Sequence, residues 1–240
     1  LGGNAPFIVF EDADLDKAVD GAIAAKFRNI GQACTAANRF IVHTSIAEEF
    51  ANRVTERVTG MRIGRGTETG IDIGPLIDDR AVAKATELVN DAISKGATLR
   101  TGGKATSGPG TFFEPTVVTD VQPGSEILQE EIFGPVLSCV RADDINSAIQ
   151  IINEHPYGNG VACFTRDGHA AREFARRIEV GMVGVNVPVP VPTAWHGFGG
   201  WKDSLFGDMH VYGEEGVRFY TRQKSVMQRW PTESRGPEFM

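Results

Sequence analysis

The sequence predicts an α/β fold: a parallel, doubly wound sheet flanked by helices. Two observations carry the expectation. Short strand-like apolar runs alternate with longer segments whose apolar residues recur at helical spacing. The runs are apolar along most of their length, as strands covered by helices on both faces must be.

Taken in order, Pro6 to Phe10 is the first apolar run. From Asp14 the period changes, and Leu15, Ala18, Val19, Ala22, Ile23 and the Ala25–Phe27 stretch share one helical face. Asn38 to His43 returns to strand. Ser45 followed by Glu48 spells a capping box for a second helix reaching about Val58. Asp79 to Ser94 is a third helix. Phe112 to Val121 is β-branched and aromatic but interrupted by Pro115, which predicts an edge or bulged strand. The alternation then repeats, with strands at Pro135–Val140, Gly160–Thr165 and Val183–Val187 and helices at Asp144–Asn153 and Gly168–Ile178. After Pro188 a long stretch rich in glycine, proline and aromatics has loop chemistry, and long loops in compact domains tend to carry function. Val217 to Arg229 alternates apolar and charged residues, the pattern of a half-exposed strand able to pair with another chain. The last ten residues, 231–240, lack periodicity and are expected to lie outside the fold. The chain opens on Leu1 with neither Met nor a leader pattern, as if entered partway.

Composition narrows the function. With 24 Lys+Arg against 31 Asp+Glu in 240 residues, the net charge is −7. That balance argues against a nucleic-acid or anionic-membrane surface, which needs clustered cations. No apolar run approaches the ~18 residues of a membrane span. The three cysteines, Cys34, Cys139 and Cys163, are odd in number and widely spaced, with no metal-ligand spacing. Such usage fits a reducing compartment, and a cytoplasmic protein is expected.

Three features could carry chemistry. Cys139 and Cys163 sit in apolar strands and read as small buried hydrophobes. Cys34 lies instead in a connection among Gly31, Gln32 and Thr35, where a thiol can be reached. To act as a nucleophile it needs a base or oriented amides. Glu130 and Glu131 precede a Phe-Gly-Pro turn: either a solvated acidic turn or a carboxylate that holds a ligand hydroxyl. Phe198 to Lys202 (FGGWK) is a glycine-aromatic loop with His196 beside it, whereas His155, His169 and His210 read as surface residues. The glycine-rich Gly64–Gly70 stretch lacks both G-x-G-x-x-G spacing and a βαβ setting, so it is read as a loop.

In order and rough spacing, Leu1-Gly-Gly-Asn4, F-x-x-x-G-Q-x-C at Phe27–Cys34, E-E-I-F-G-P at Glu130–Pro135 and F-G-G-x-K at Phe198–Lys202 resemble the aldehyde dehydrogenase superfamily. The likeness spans residues 1–230 and corresponds to the C-terminal half of such an enzyme: a catalytic domain over 1–212 and an oligomerisation strand over 213–230. It implies oxidation of an aldehyde with NAD or NADP through a thiohemiacetal on Cys34, whose oxyanion the Cys34 N–H helps to hold. It further implies that Glu131 binds the nicotinamide ribose with Phe133 beside the ring, and that Phe198 lies near the substrate entrance. Lys202 receives no chemical role.

The N-terminal part is similar to succinate-semialdehyde dehydrogenases, where the arginine matching Arg28 binds the substrate carboxylate. The C-terminal part resembles methylmalonate-semialdehyde dehydrogenases, some of which pass the acyl group to coenzyme A. A small carboxylated aldehyde is therefore the expected substrate, giving the acid or an acyl thioester, and a homo-oligomer (dimer or tetramer) the expected assembly. The family's general-base glutamate directly precedes Leu-Gly-Gly, and its cofactor domain lies upstream, so the chain alone is expected to turn over poorly. Two other readings stay open: a non-enzymatic folded fragment or oligomerisation module, and a thiol hydrolase pairing Cys34 with His196.

Overall fold

The computed structural model describes residues 2–230. Seven strands form one sheet, β1 (Pro6–Val9), β2 (Arg39–His43), β3 (Thr98–Thr101), β4 (Thr116–Thr119), β5 (Val136–Ala142), β7 (Gly160–Phe164) and β8 (Met182–Val185), in the order β3-β4-β5-β2-β1-β7-β8. All pairings are parallel except β3–β4. Two short strands, β6 (Tyr157–Gly158) and β9 (Trp201–Lys202), pair separately.

The strand period of two sorts residues onto two faces. Phe7, Val9, Phe40, Val42, Leu137 and Cys139 pack against α1 (Leu15–Phe27) and α2 (Ala47–Thr59). Ile8, Ile41, Val161 and Cys163 face α4 (Ile145–Asn153) and α5 (Gly168–Arg177). Val118, Val136 and Val140 lie beneath α3 (Asp79–Ser94). Helices therefore cover both faces, as the apolar strands predict. Aspartates at positions 14, 78, 144 and 167 cap α1, α3, α4 and α5, each accepting a hydrogen bond from a first-turn backbone N–H.

Several local expectations fail, each for a physical reason. The capping box at Ser45 and Glu48 does not form. Ser45 lies in a 3₁₀ turn with its hydroxyl 2.8 Å from His43 Nδ1, and Glu48 is drawn to Arg100 at 2.7 Å. The strand expected to be an edge or bulged, β4, is interior, and the bulge in its pairing falls on its neighbour β3. Pro115 falls just before β4, where its missing N–H breaks no ladder bond. The true edge is β3, short and bulged between Leu99 and Thr101, whose polar sequence carries no strand period. Over Val217–Arg229 the strand pattern is also overridden at its start: Gly213–Tyr220 is helix α6, and 221–230 joins no ladder. Residues 231–240 lie outside the described residues. Among the described residues, no helix is long and apolar enough to cross a membrane.

Candidate active site

Because β1, β2, β5 and β7 run parallel, the segments leading into them gather at one edge of the sheet. Those segments carry Gly3 and Asn4 before β1, Cys34 before β2, Glu131 to Gly134 before β5, and Asn159 before β7. Open α/β sheets usually bind ligands at the opposite, carboxyl edge. Here the residues singled out by sequence stand at the amino edge.

The loop bearing Cys34 is held in a strained form. Asn29, Ile30 and Gly31 all adopt left-handed backbone, with φ of 52°, 61° and 74°. Ile30 has a branched side chain that disfavours this region. Packing overrides that preference, since the side chain reaches the clusters under both α1 and α3. The Gln32 side chain accepts from the Ile77 N–H at 3.0 Å, and Asn29 Nδ2 donates to the Gln32 carbonyl at 2.6 Å. Cys34 itself is half-buried, whereas burial pushes the thiols of Cys139 and Cys163 up to about 12. One of three cysteines is thus placed to react.

Gly31 packs directly on the Gly134 carbonyl, joining the thiol loop to the turn of Glu131. Glu131 is half-buried. Burial raises its carboxyl above the ordinary carboxylate value, while Lys84 and Lys26 pull it back. Lys26 is fully buried at the end of α1, donates to Asn38 Oδ1 at 2.9 Å and is lowered by burial to about 7. Phe133 also has left-handed backbone, φ 54°, and keeps 40% of its surface exposed. A half-buried carboxylate beside a bare aromatic ring fits a ribose with its attached heterocycle. Arg28 caps α1, is exposed, and among the described residues pairs with no carboxylate.

The FGGWK loop reaches the thiol indirectly. Gly200 packs on Asn159, whose side-chain amide donates to the Cys34 carbonyl at 3.0 Å. Phe198 is half-buried against Tyr212, ring centroids 5.5 Å apart. Lys202 plays a structural part, its ammonium donating to the carbonyls of Asn153 (2.6 Å) and His155 (3.2 Å). His196 is exposed, and its side chain makes no hydrogen bond to Cys34 among the described residues, which leaves the Cys–His pairing without a contact. His155 departs from the surface expectation. It is buried, accepts from the Tyr157 N–H through Nδ1, and burial lowers it to about 4.

Sequence reasoning named Asn4 only as part of the opening motif, without a role, and missed Asn159 and Ser204. Asn4 Nδ2 donates to the Leu128 carbonyl at 2.9 Å, near the acidic turn. Ser204 accepts from the Gly158 N–H and donates to the Gly2 carbonyl, at 3.1 and 2.7 Å. Position is the one signal two of them carry, Asn159 between Gly158 and Gly160 at the start of β7 and Asn4 just before β1, and Ser204 carries none.

These features define a doubly wound α/β domain with a reachable thiol on a glycine-lined edge. Residues 1–226 match the aldehyde dehydrogenase family. The chain is 46% identical over 229 residues to a malonate-semialdehyde dehydrogenase of Pseudomonas aeruginosa, covering 93% of this chain and 46% of that protein. It is 45% identical over 226 residues to a succinate-semialdehyde dehydrogenase of Paenarthrobacter nicotinovorans, covering 94% and 50%. Among solved structures, a Sinorhizobium meliloti protein assigned as a methylmalonate-semialdehyde dehydrogenase, in complex with NAD, superposes with a TM-score of 0.92 at 40% identity. That match covers 97% of this chain and 48% of the other. The chain belongs to the aldehyde dehydrogenase family and spans about half the length of these relatives.

Proposed function

We propose that the protein oxidises a small carboxylated aldehyde with a nicotinamide cofactor, using Cys34 as nucleophile. The observation that carries this reading is the contrast among the thiols: Cys34 is reachable in a strained loop, and the other two are locked in the core. Cys34 Sγ adds to the aldehyde carbon, and the Cys34 N–H donates to the oxyanion that develops. A bound nicotinamide accepts hydride in this chemistry. Glu131 is suited to take the ribose hydroxyls as an acceptor, and Phe133 offers a face to the ring. The acyl group left on Cys34 passes to water or to a second thiol. Arg28, exposed and unpaired among the described residues, suits a substrate carboxylate, which a guanidinium can grip with two hydrogen bonds. The names of the relatives, malonate- and succinate-semialdehyde dehydrogenase, favour the same substrate class.

The test, run in a full-length context that supplies the upstream half its relatives carry, is nicotinamide-linked oxidation of malonate, methylmalonate and succinate semialdehydes beside a neutral aldehyde. Cys34→Ser should abolish turnover. Arg28→Ala should raise KM about tenfold or more for the acidic substrates, the scale of a lost charged hydrogen bond, and spare the neutral one. Turnover that survives Cys34→Ser overturns the mechanism, and equal KM effects on both substrate types overturn the role of Arg28.

A further inference from the structure

We propose that Asn159 is a positioning residue for Cys34: its amide clamps the Cys34 backbone so that thiol and peptide N–H address the same carbonyl group. The inference rests on the reading of Cys34 as nucleophile. Asn159 is 2% exposed, and its Nδ2 donates to the Cys34 carbonyl at 3.0 Å. Its own carbonyl accepts from the Met182 N–H at 3.2 Å, which ties the clamp to the start of the β7–β8 pair.

Glycines make room for this amide. A Cβ at Gly3 would stand 2.9 Å from the Cys34 oxygen and 3.2 Å from Asn159 Nδ2. One at Gly200 would stand 3.3 Å from the Asn159 Cα. Three chain segments, those leading to β1 and β7 and the FGGWK loop, thus converge on one hydrogen bond to the nucleophile's backbone.

Packing alone does not explain an asparagine here. Its Oδ1 is buried without a partner, a penalty that an apolar residue of similar size would avoid. The donor side is what the site uses. On the N-terminal side of Cys34 the strained Asn29–Gly31 turn fixes the backbone, and on its C-terminal side the Ala36 N–H closes a turn onto Ala33 at 2.9 Å. Holding the Cys34 carbonyl as well fixes the peptide planes on both sides of the residue, so its N–H and Cα–Cβ bond keep set directions and Sγ retains only its χ1 rotation.

Two reagents separate positioning from mere reactivity. With p-nitrophenyl acetate, Sγ bonds to the acyl carbon, the oxyanion forms against the Cys34 N–H, and p-nitrophenolate leaves. With iodoacetamide, Sγ displaces iodide from a saturated carbon and no oxyanion forms. The ratio of the two rates at Cys34, followed by peptide mass spectrometry, cancels changes in thiolate fraction. Asn159→Ala should lower that ratio about tenfold or more, the scale of a lost oxyanion contact. Asn159→Asp keeps the shape but loses the donor, and should lower it similarly. Gly3→Ala crowds the same junction from the other side and provides the reading should the Asn159 variants not fold. An unchanged ratio in folded variants overturns the clamp while leaving Cys34 as nucleophile. Failure of both reagents to modify Cys34 in the unaltered chain overturns the nucleophile reading itself.

Discussion

Gly31 lies so close to Gly134 that a Cβ added to Gly31 would stand 2.9 Å from the Gly134 carbonyl carbon and nearer still to its oxygen. The loop of the thiol and the turn of Glu131 therefore touch backbone to backbone, and no side chain can be placed between them. Gly31 also has φ +74°, a conformation that costs an L-residue about 1–2 kcal/mol. Adding an overpacking penalty of similar size, Gly31→Ala is expected to lower stability by about 2–4 kcal/mol in denaturant melts. It should also change the alkylation rate of Cys34. Gly66→Ala is the control: its Cβ would meet nothing within 4 Å, so the change should be neutral or slightly stabilising.

Lys202 stands in a family motif, yet its ammonium is spent on carbonyls at the end of α4, Asn153 and His155, with Glu179 at 3.5 Å. A cation at a helix C-terminus is favourable, and hydrogen bonds from a charged donor contribute about 1.5–3 kcal/mol. Lys202→Met should therefore reduce stability by about 2 kcal/mol. The ratio of ester acylation to alkylation at Cys34 should stay unchanged. A fall in that ratio at full stability would assign Lys202 to the chemistry after all.

What the sequence revealed and what it hid follow from the range of the interactions. Strands such as Phe40–Val42 and helices such as Asp79–Ser94 are written in local period, and the structure returns them nearly as read. The four motifs drew attention to loops that could hold a site because each is a short run of unusual residues. The hydrogen bond of Asn159 to Cys34 joins positions far apart in sequence, so no local pattern could announce it. His155 failed for the same reason: its loop is polar, but Asn4, Arg39 and Lys202 close over it from three other segments. The strand β3 was invisible because its residues, TLRT, alternate too weakly to show a buried face.

Stability should rise with pH across two separate windows. Burial lowers His155 from 6.5 to about 4, with Arg39 and Lys202 adding to the effect, and lowers Lys26 from 10.5 to about 7 against the pull of Glu131. In each window, pH 4–6.5 and pH 7–10.5, the unfolded chain binds a proton that the folded chain does not, so raising the pH favours folding. Below pH 7 the folded state carries a buried ammonium with one side-chain acceptor, Asn38. Lys26→Met should then exceed the unaltered chain in stability at neutral pH, and the advantage should shrink toward pH 10.5. His155→Gln should flatten the acid slope between pH 6.5 and 4. Urea melts across pH check both, and parallel curves for variant and parent would remove these groups as the cause.

The two edges of the main sheet differ in what they invite. Strand β3 carries Arg100 and a bulge, features that discourage pairing with another chain. Strand β8, Met-Val-Gly-Val, has no charge and leaves its outer backbone groups unpaired by any strand among the described residues. Helix α6 and residues 221–230 hold no buried residue: Val217, Phe219, Val226 and Trp230 are 64, 64, 66 and 84% exposed. Apolar surface on this scale marks an interaction site. The homo-oligomer expected from the family resemblance would set a second copy of the protein over it. Light scattering should then find a dimer or larger assembly, and removal of residues 221–230 should shift it toward monomer. Because none of those residues is buried in the fold, the truncated chain should keep its unfolding midpoint when measured as a monomer. A parent chain that stays monomeric at every concentration would leave α6 and 221–230 to some other partner.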